Sequence, residues 1–136
     1  MSHRRKSREL AVQFLYSYEV NPGDLEERLI QFWEANKAAE SVKEFATSLI
    51  RGTLAEKERV DSLISDETIN WDITRIAVVD RNILRLAVYE LAFREDIPPV
   101  VSIDEAVDIA KKFGTADSGK FVNGILDTVR AKLSGV

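Results

Sequence analysis

The stretch Val79-Asp80-Arg81-Asn82-Ile83-Leu84-Arg85-Leu86-Ala87-Val88-Tyr89-Glu90-Leu91-Ala92-Phe93-Arg94 runs without a glycine or a proline. At 100° per residue its apolar side chains point in nearly every direction. An ordinary surface helix shows one apolar stripe. A helix that is apolar all round is either the centre of a bundle or is covered on one face by something else. Its charges sharpen the question. Arg81 and Arg85 stand i, i+4 with like sign, so they ask for an acidic neighbour in this chain or another, the plain alternative being the acids of the helix over 40–65. Glu90 and Arg94 have the spacing of an ordinary helix ion pair.

Outward from this helix the periodicity stays helical. Pro98-Pro99 stops its continuation. Ser102 and Glu105 have capping-box spacing for a helix over 103–113, with Gly114 as a left-handed C-cap. Asp117 or Ser118 caps a last helix whose face is Phe121, Val122, Ile125, Leu126, Val129 and Leu133. Upstream, residues 66–72 form a seam between subdomains, followed by a short helix over 73–78. Before the seam a long helix runs from Glu40 to Ser65. Gly52 in its middle costs about 1 kcal/mol relative to Ala, which points to a close helix crossing. Asp24 and Glu27 open a second helix carrying Leu25, Leu29, Ile30 and Trp33, after the turn Asn21-Pro22-Gly23. The first helix, capped by Ser2, reaches Glu19 and sets Leu10, Ala11, Phe14, Leu15 and Tyr18 within about 140° of arc. The expected fold is all-α: a compact bundle of about seven helices, one domain over 1–136, with subdomains of about 1–70 and 71–136 sharing one core.

Composition narrows the chemistry. The 136 residues contain no cysteine and one histidine, His3. A disulfide scaffold, a thiolate metal site and a cysteine nucleophile are thereby excluded, and neither a metal nor a cofactor is expected. No apolar run approaches the ~18 residues of a membrane span, and the basic N-terminus lacks the apolar stretch of a signal peptide. The expected compartment is the cytosol. No carboxylate pair accompanies a candidate nucleophile, so no catalytic constellation is visible.

Charge is unevenly placed. Arg4, Arg5, Lys6 and Arg8 all precede the first acid, Glu9, in a chain of net charge −4. This basic arm on an acidic body is either a local anion-binding edge or a solvated terminus. Arg5, Val12 and Tyr16 fall within about 40° of one another, away from the Phe14/Leu15/Tyr18 stripe, while Arg4 and Arg8 share the other flank. An aromatic ring beside guanidinium groups suits an unstacked base, with the cations on phosphates. The alternative is that Tyr16 packs under the second helix while the arginines lay their stems along apolar surface. Gly114 to Phe121 matches the spacing of a phosphate loop, G-x-x-x-x-G-K. However, Phe121 stands where the magnesium-binding hydroxyl belongs, and a helix precedes it where a strand should. What survives is a loop feeding a helix start with Lys120 facing outward: an anion site or a plain connection.

Several stretches resemble the NusB family of bacterial transcription antitermination factors. They are Arg4 to Tyr16, Val79 to Leu91, Ile97-Pro98 with Ile103-Asp104-Glu105-Ala106, Ala110-Lys111-Lys112-Phe113-Gly114, and Ser118-Gly119-Lys120-Phe121-Val122-Asn123-Gly124-Ile125-Leu126-Asp127. The likeness covers essentially the whole chain, and the last block is the most specific. Residues 20–70 match mainly by helical pattern.

The resemblance implies an all-helical protein that is not an enzyme. It would pair with NusE, a small-subunit ribosomal protein, bind the single-stranded boxA element of nascent RNA, and promote read-through by RNA polymerase in ribosomal RNA operons, reaching the elongation complex through other Nus factors. The RNA-binding residues it implies are Arg4, Arg5, Lys6, Arg8, Tyr16, Asp117, Ser118, Lys120 and Phe121. The implied partner-binding residues are Asp80, Arg81 and Leu84. Lys6 stands where many members have arginine, keeping the charge and losing the fork geometry. Family members differ in self-association, so a homodimer stays open. Two other readings remain: the RNA-binding module of a ribosomal RNA cytosine methyltransferase, which would need a further catalytic domain, and a helical adaptor without nucleic-acid contact.

Overall fold

The computed structural model describes residues 3–67 and 72–135, and these form seven α-helices and one 3₁₀ turn. They are α1 (His3–Val20), α2 (Leu25–Ala35), α3 (Glu40–Ala55), α4 (Lys57–Glu67), the 3₁₀ turn Ile73–Arg75, α5 (Val78–Phe93), α6 (Pro99–Phe113) and α7 (Ser118–Leu133). The all-α expectation holds. The expected Ser2 cap and most of the 66–72 seam lie outside the described residues.

The helix that reads apolar all round is the centre of the bundle. α5 packs against α1, α3, α4, α6 and α7, and every residue from Asp80 to Val88 is buried. Ile83, Leu84 and Val88 meet Phe14 of α1, Leu49 and Ile50 of α3, Ile64 of α4, Ile109 of α6 and Leu126 of α7 in one core. The neighbours α5 needs are therefore supplied by the chain itself.

Local chemistry explains the boundaries, several of which differ from expectation. The long helix over 40–65 is two helices, separated at Glu56 (φ −104°, ψ 19°). α3 packs on α1 and α5, whereas α4 packs on α5 and α7. One residue leaving helical torsion redirects the chain, and neither glycine nor proline marks the spot. The expected helix over 73–78 is only the 3₁₀ turn, whose start is capped by Asp72 accepting from the Thr74 N–H (3.0 Å). α6 begins earlier than the Ser102/Glu105 box predicts, at Pro99. Proline suits the first helical position because the N–H it lacks has no partner there. Ser102 is thus inside the helix, with its hydroxyl on Glu90 (2.7 Å). Gly114 is not left-handed (φ −94°, ψ −159°). It is required by close approach, since a Cβ there would meet Ser118 and the Ala110 carbonyl. At α7, neither Asp117 nor Ser118 provides an ordinary side-chain cap: Asp117 makes no capping bond, and the Ser118 hydroxyl accepts from the Thr115 N–H (2.9 Å) outside the helix. Asp24 does cap α2, accepting from the Glu27 N–H (3.0 Å). Leu29 and Trp33 of that helix are buried, while Ile30 is exposed.

Arg81 and Arg85 find their acids. Glu19 of α1 receives both guanidinium groups, and Asp61 of α4 takes Arg85 through Nε (2.8 Å) and Nη2 (3.2 Å). Arg81 Nη1 also donates to the carbonyls of Ile73, Thr74 and Ile76, pinning the 3₁₀ turn to α5. The expected Glu90–Arg94 pair does not form, because Glu90 is committed to α1 and Arg94 bonds Asp96. Burial works to raise the Glu19 pKa. The hydrogen bonds from Arg81 and Asn82 and the charges of Arg85 and Arg81 outweigh it, and the carboxyl sits below its ordinary range.

Two outcomes follow from these contacts. A Cβ on Gly52 would run into the Tyr89 ring and hydroxyl, so Gly52→Ala should lower stability by about 1–3 kcal/mol, the usual range for overpacking. The same change made in a Tyr89→Ala background should cost nothing, which urea titrations of the four proteins check. Glu19 contributes stability that is fully present above the ordinary glutamate pKa, about 4.3, and is lost as pH falls through its lower folded value. Wild-type midpoints should therefore drop across that acid window, and Glu19→Gln should be less stable at neutral pH and flatter below it.

Candidate nucleic-acid interface

The basic arm is the start of α1, and the structure sorts its cations by the company they keep. Arg8 is 2 % exposed. Its Nε and Nη2 donate to the two oxygens of Glu90, each at 2.9 Å, and Ser102 Oγ donates to the same carboxylate. Arg8 is a structural tie between α1 and α5, so its placement corrects the expectation of a phosphate ligand. Arg5 is held by α6 through Glu105 and through Asp108 (2.8 Å). Its hydrogen bond to Glu105, against partial desolvation, raises the guanidinium pKa further. Arg4 and Lys6 are exposed, and the Arg4 guanidinium lies 4.2 Å from the centre of the Phe45 ring.

Farther along α1, Val12 is buried against expectation, because α1 is covered on two sides. Tyr16 is 41 % exposed. Ion pairs give the reason. Arg5 reaches Glu105 and Asp108, and Glu9 reaches Lys112 (3.1 Å), so α1 and α6 run in the same direction. α6 ends at Phe113, level with Glu9. Tyr16 lies about two helical turns beyond, roughly 10 Å, where α6 no longer covers α1.

The last block adjoins this end of the bundle. Asn82 Nδ2 donates to Glu19 Oε1 (3.0 Å), and Ser118 Oγ donates to Asp80 Oδ2 (3.1 Å). The end of α1, the first turn of α5 and the first turn of α7 are thereby brought together. Asp117 and Lys120 are exposed, Phe121 is half-buried against the core, and Ser118 is 1 % exposed. Ser118 therefore positions the segment and offers no free hydroxyl. Arg4 to Lys6 sit at the opposite end of α1, about 15–18 Å from Tyr16. Exposed side chains thus form a track along the α1–α6 edge. Lys112 and Phe113 stand on that edge, both exposed, with the ammonium 5.3 Å from the ring centre. Sequence reasoning passed over them because basic residues in a last helical turn also suit the helix dipole. Their one signal in the sequence was an aromatic directly after two lysines at a helix end.

The expected partner residues lie inside. Leu84 is 0 % exposed and Arg81 is consumed by Glu19 and three carbonyls. Asp80 is 8 % exposed, and its Oδ1 has no hydrogen-bond partner among the described residues. That unpaired oxygen is buried, so of the three Asp80 alone keeps hydrogen-bonding capacity unused, and it does so beneath the surface. Among the described residues there is no group of acids and histidine fit to hold a metal, and no helix is long and apolar enough to cross a membrane.

Known proteins match this arrangement over nearly its whole length. The family model described as "NusB family" matches residues 5–131. The chain belongs to the NusB family. Among its relatives, the transcription antitermination protein NusB of Methylacidiphilum infernorum is 47% identical over 130 residues, covering 95% of this chain and 91% of the relative. That of Geobacter sulfurreducens is 46% identical, covering 98% and 97%. The solved structure of NusB from T. maritima superposes with a TM-score of 0.85 at 41% identity, over 98% of this chain and 97% of that one. A crystal structure of antitermination factors NusB and NusE in complex with dsRNA contains a chain that superposes with a TM-score of 0.87 at 30% identity, covering 97% and 98%.

The sorting of cations predicts how this NusB-family chain divides stability from binding. Arg8→Ala should destabilise it by about 3–5 kcal/mol, because it strands Glu90 as a buried, uncompensated charge. Lys6→Ala should fall within about 0.5 kcal/mol of wild type, as exposed substitutions do. Denaturant midpoints of the two variants check the contrast, and equal midpoints would place Arg8 on the surface after all.

Proposed function

We propose that the chain acts without catalysis as an antitermination factor that pairs with the ribosomal protein NusE, binds single-stranded boxA-type RNA, and promotes read-through by RNA polymerase in ribosomal RNA operons through other Nus factors. One observation carries the RNA reading: Tyr16 stands uncovered at the end of the α1–α6 edge, with Lys120 and the start of α7 at the same end and Arg4 and Lys6 along the same helix. A base stacks on the ring while exposed cations on either side take phosphates. Arg5 joins only by exchanging an acid for a phosphate, and Arg8 acts by fixing α1 in place. The solved relative seen with NusE and dsRNA supports NusE as the protein partner and RNA as the class of nucleic acid. Asp80 supports the protein partner. It is a first-turn carboxylate just beneath the surface, with no cation paired to it among the described residues, and a basic ribosomal protein supplies the complementary charge.

RNA titrations with and without NusE test the reading. Tyr16→Ala should weaken boxA RNA binding by about 1–3 kcal/mol, the worth of one base–aromatic stack. The slope of log K against log salt should not change, since no charge is removed. Melting should also be nearly unchanged, because the ring is not in the core. Normal RNA affinity in a folded Tyr16→Ala protein would exclude stacking at this position.

A further inference from the structure

The groove between α6 and α7 carries two lysines that the cation sorting leaves over. Lys111 and Lys120 both line it and both are exposed. Neither makes an ion pair among the described residues, in contrast to Lys112, which is held by Glu9. The carboxylates in the same groove do not neutralise them. Asp108 is engaged by Arg5 (2.8 Å), and Asp104 lies about two helical turns back along α6 from Lys111. Helix α7 returns alongside α6 after the short connection 114–117. The lysine end of the groove is therefore the end that adjoins the start of α7 and the Tyr16 surface.

Gly119 explains how Lys111 comes to be there. A Cβ at position 119 would stand 3.0 Å from Lys111 Cγ and 3.2 Å from Lys111 Cε. The lysine stem lies directly across the backbone of Gly119 in the first turn of α7, and Gly119 is next in sequence to Lys120. A side chain at 119 would push the stem back by a few tenths of an ångström. Two unpaired ammonium groups held toward one groove repel each other, and an anion between them removes the repulsion.

We infer that Lys111 is a phosphate-contacting residue for the bound RNA, seated over α7 by Gly119 and taking a backbone phosphate of its own beside Lys120. This rests on the RNA-binding reading above and adds a residue and a positioning glycine to it. Loss of the contact takes one charge out of the interface. On a single strand each phosphate contact contributes about −0.7 to the salt slope.

The test uses the full chain with NusE and a single-stranded boxA RNA, titrated at several salt concentrations. Lys111→Ala should flatten the slope by about 0.7 and weaken binding roughly fivefold at 0.1 M salt, with an unchanged melting temperature. Gly119→Ala keeps every charge. It should weaken binding about two- to threefold in the wild-type background and have no effect in the Lys111→Ala background, because a lysine already absent cannot be displaced. A role for Lys111 in stability alone would move the melt and leave the salt slope alone. Wild-type RNA binding with an unchanged slope in Lys111→Ala would overturn this inference and leave the functional reading intact. So would a Gly119→Ala effect that persists without Lys111. Absence of RNA binding by the wild-type heterodimer would overturn the functional reading, and this inference with it.

Discussion

Burying α5 on every side obliges Arg81, Arg85 and Glu90 to find counter-charges inside the protein. An isolated ion in the interior costs several kcal/mol, which only close pairing offsets. Glu90 is met by Arg8 and Ser102, Arg85 by Asp61 and Glu19, and Arg81 by Glu19 and the carbonyls of the 3₁₀ turn. These pairs are directional where apolar packing is not. They set the rotation and height of α1, α4 and α6 around the central helix. Apolar burial supplies the drive to assemble, and the ion pairs restrict which assembly satisfies the buried charges.

The same constraint divides the basic arm. Of its four cations, Arg8 is drawn inward to neutralise Glu90 and Arg5 is drawn sideways to Glu105 and Asp108. Arg4 and Lys6 are left exposed. A binding surface then arises from what the interior does not use. Tyr16 is exposed because α6, positioned by Arg5 and Lys112, ends two turns short of it. The segment 117–121 comes to the same end of the molecule because Ser118 is tied to Asp80 at the start of α5. Fold and candidate interface thus share their determinants: the buried charges that organise the bundle also decide which surface charges remain for a ligand.

The partner surface illustrates the opposite case. A helix apolar on all sides reads equally well as a bundle centre or as a docking face, since both need the same composition. Here the chain covers its own helix. Leu84 has no exposed surface, and Asp80, in the first turn, is itself buried with one oxygen unpaired.

Local patterns by themselves determined the all-α class, the core stripe of α1, that of α7 as far as Val129 (Leu133 is exposed), the Asp24 cap and the close crossing at Gly52, and left α5 as either a bundle centre or a covered face. Each is set by 3.6-residue periodicity or by the chemistry of a few neighbouring residues. Only the tertiary structure decided the break at Glu56, the start of α6 at Pro99, the extended Gly114, and the fate of each arginine. The break exists because α3 and α4 serve different neighbours, which no local pattern encodes. The arginines of α1 look alike in sequence, and Arg5 and Arg8 differ only in the acids that α5 and α6 bring to them, some 80 to 100 residues away along the chain. Helical propensity is local, so it can be read from the chain. Charge compensation is a property of the assembled interior, so it is settled only when distant helices meet.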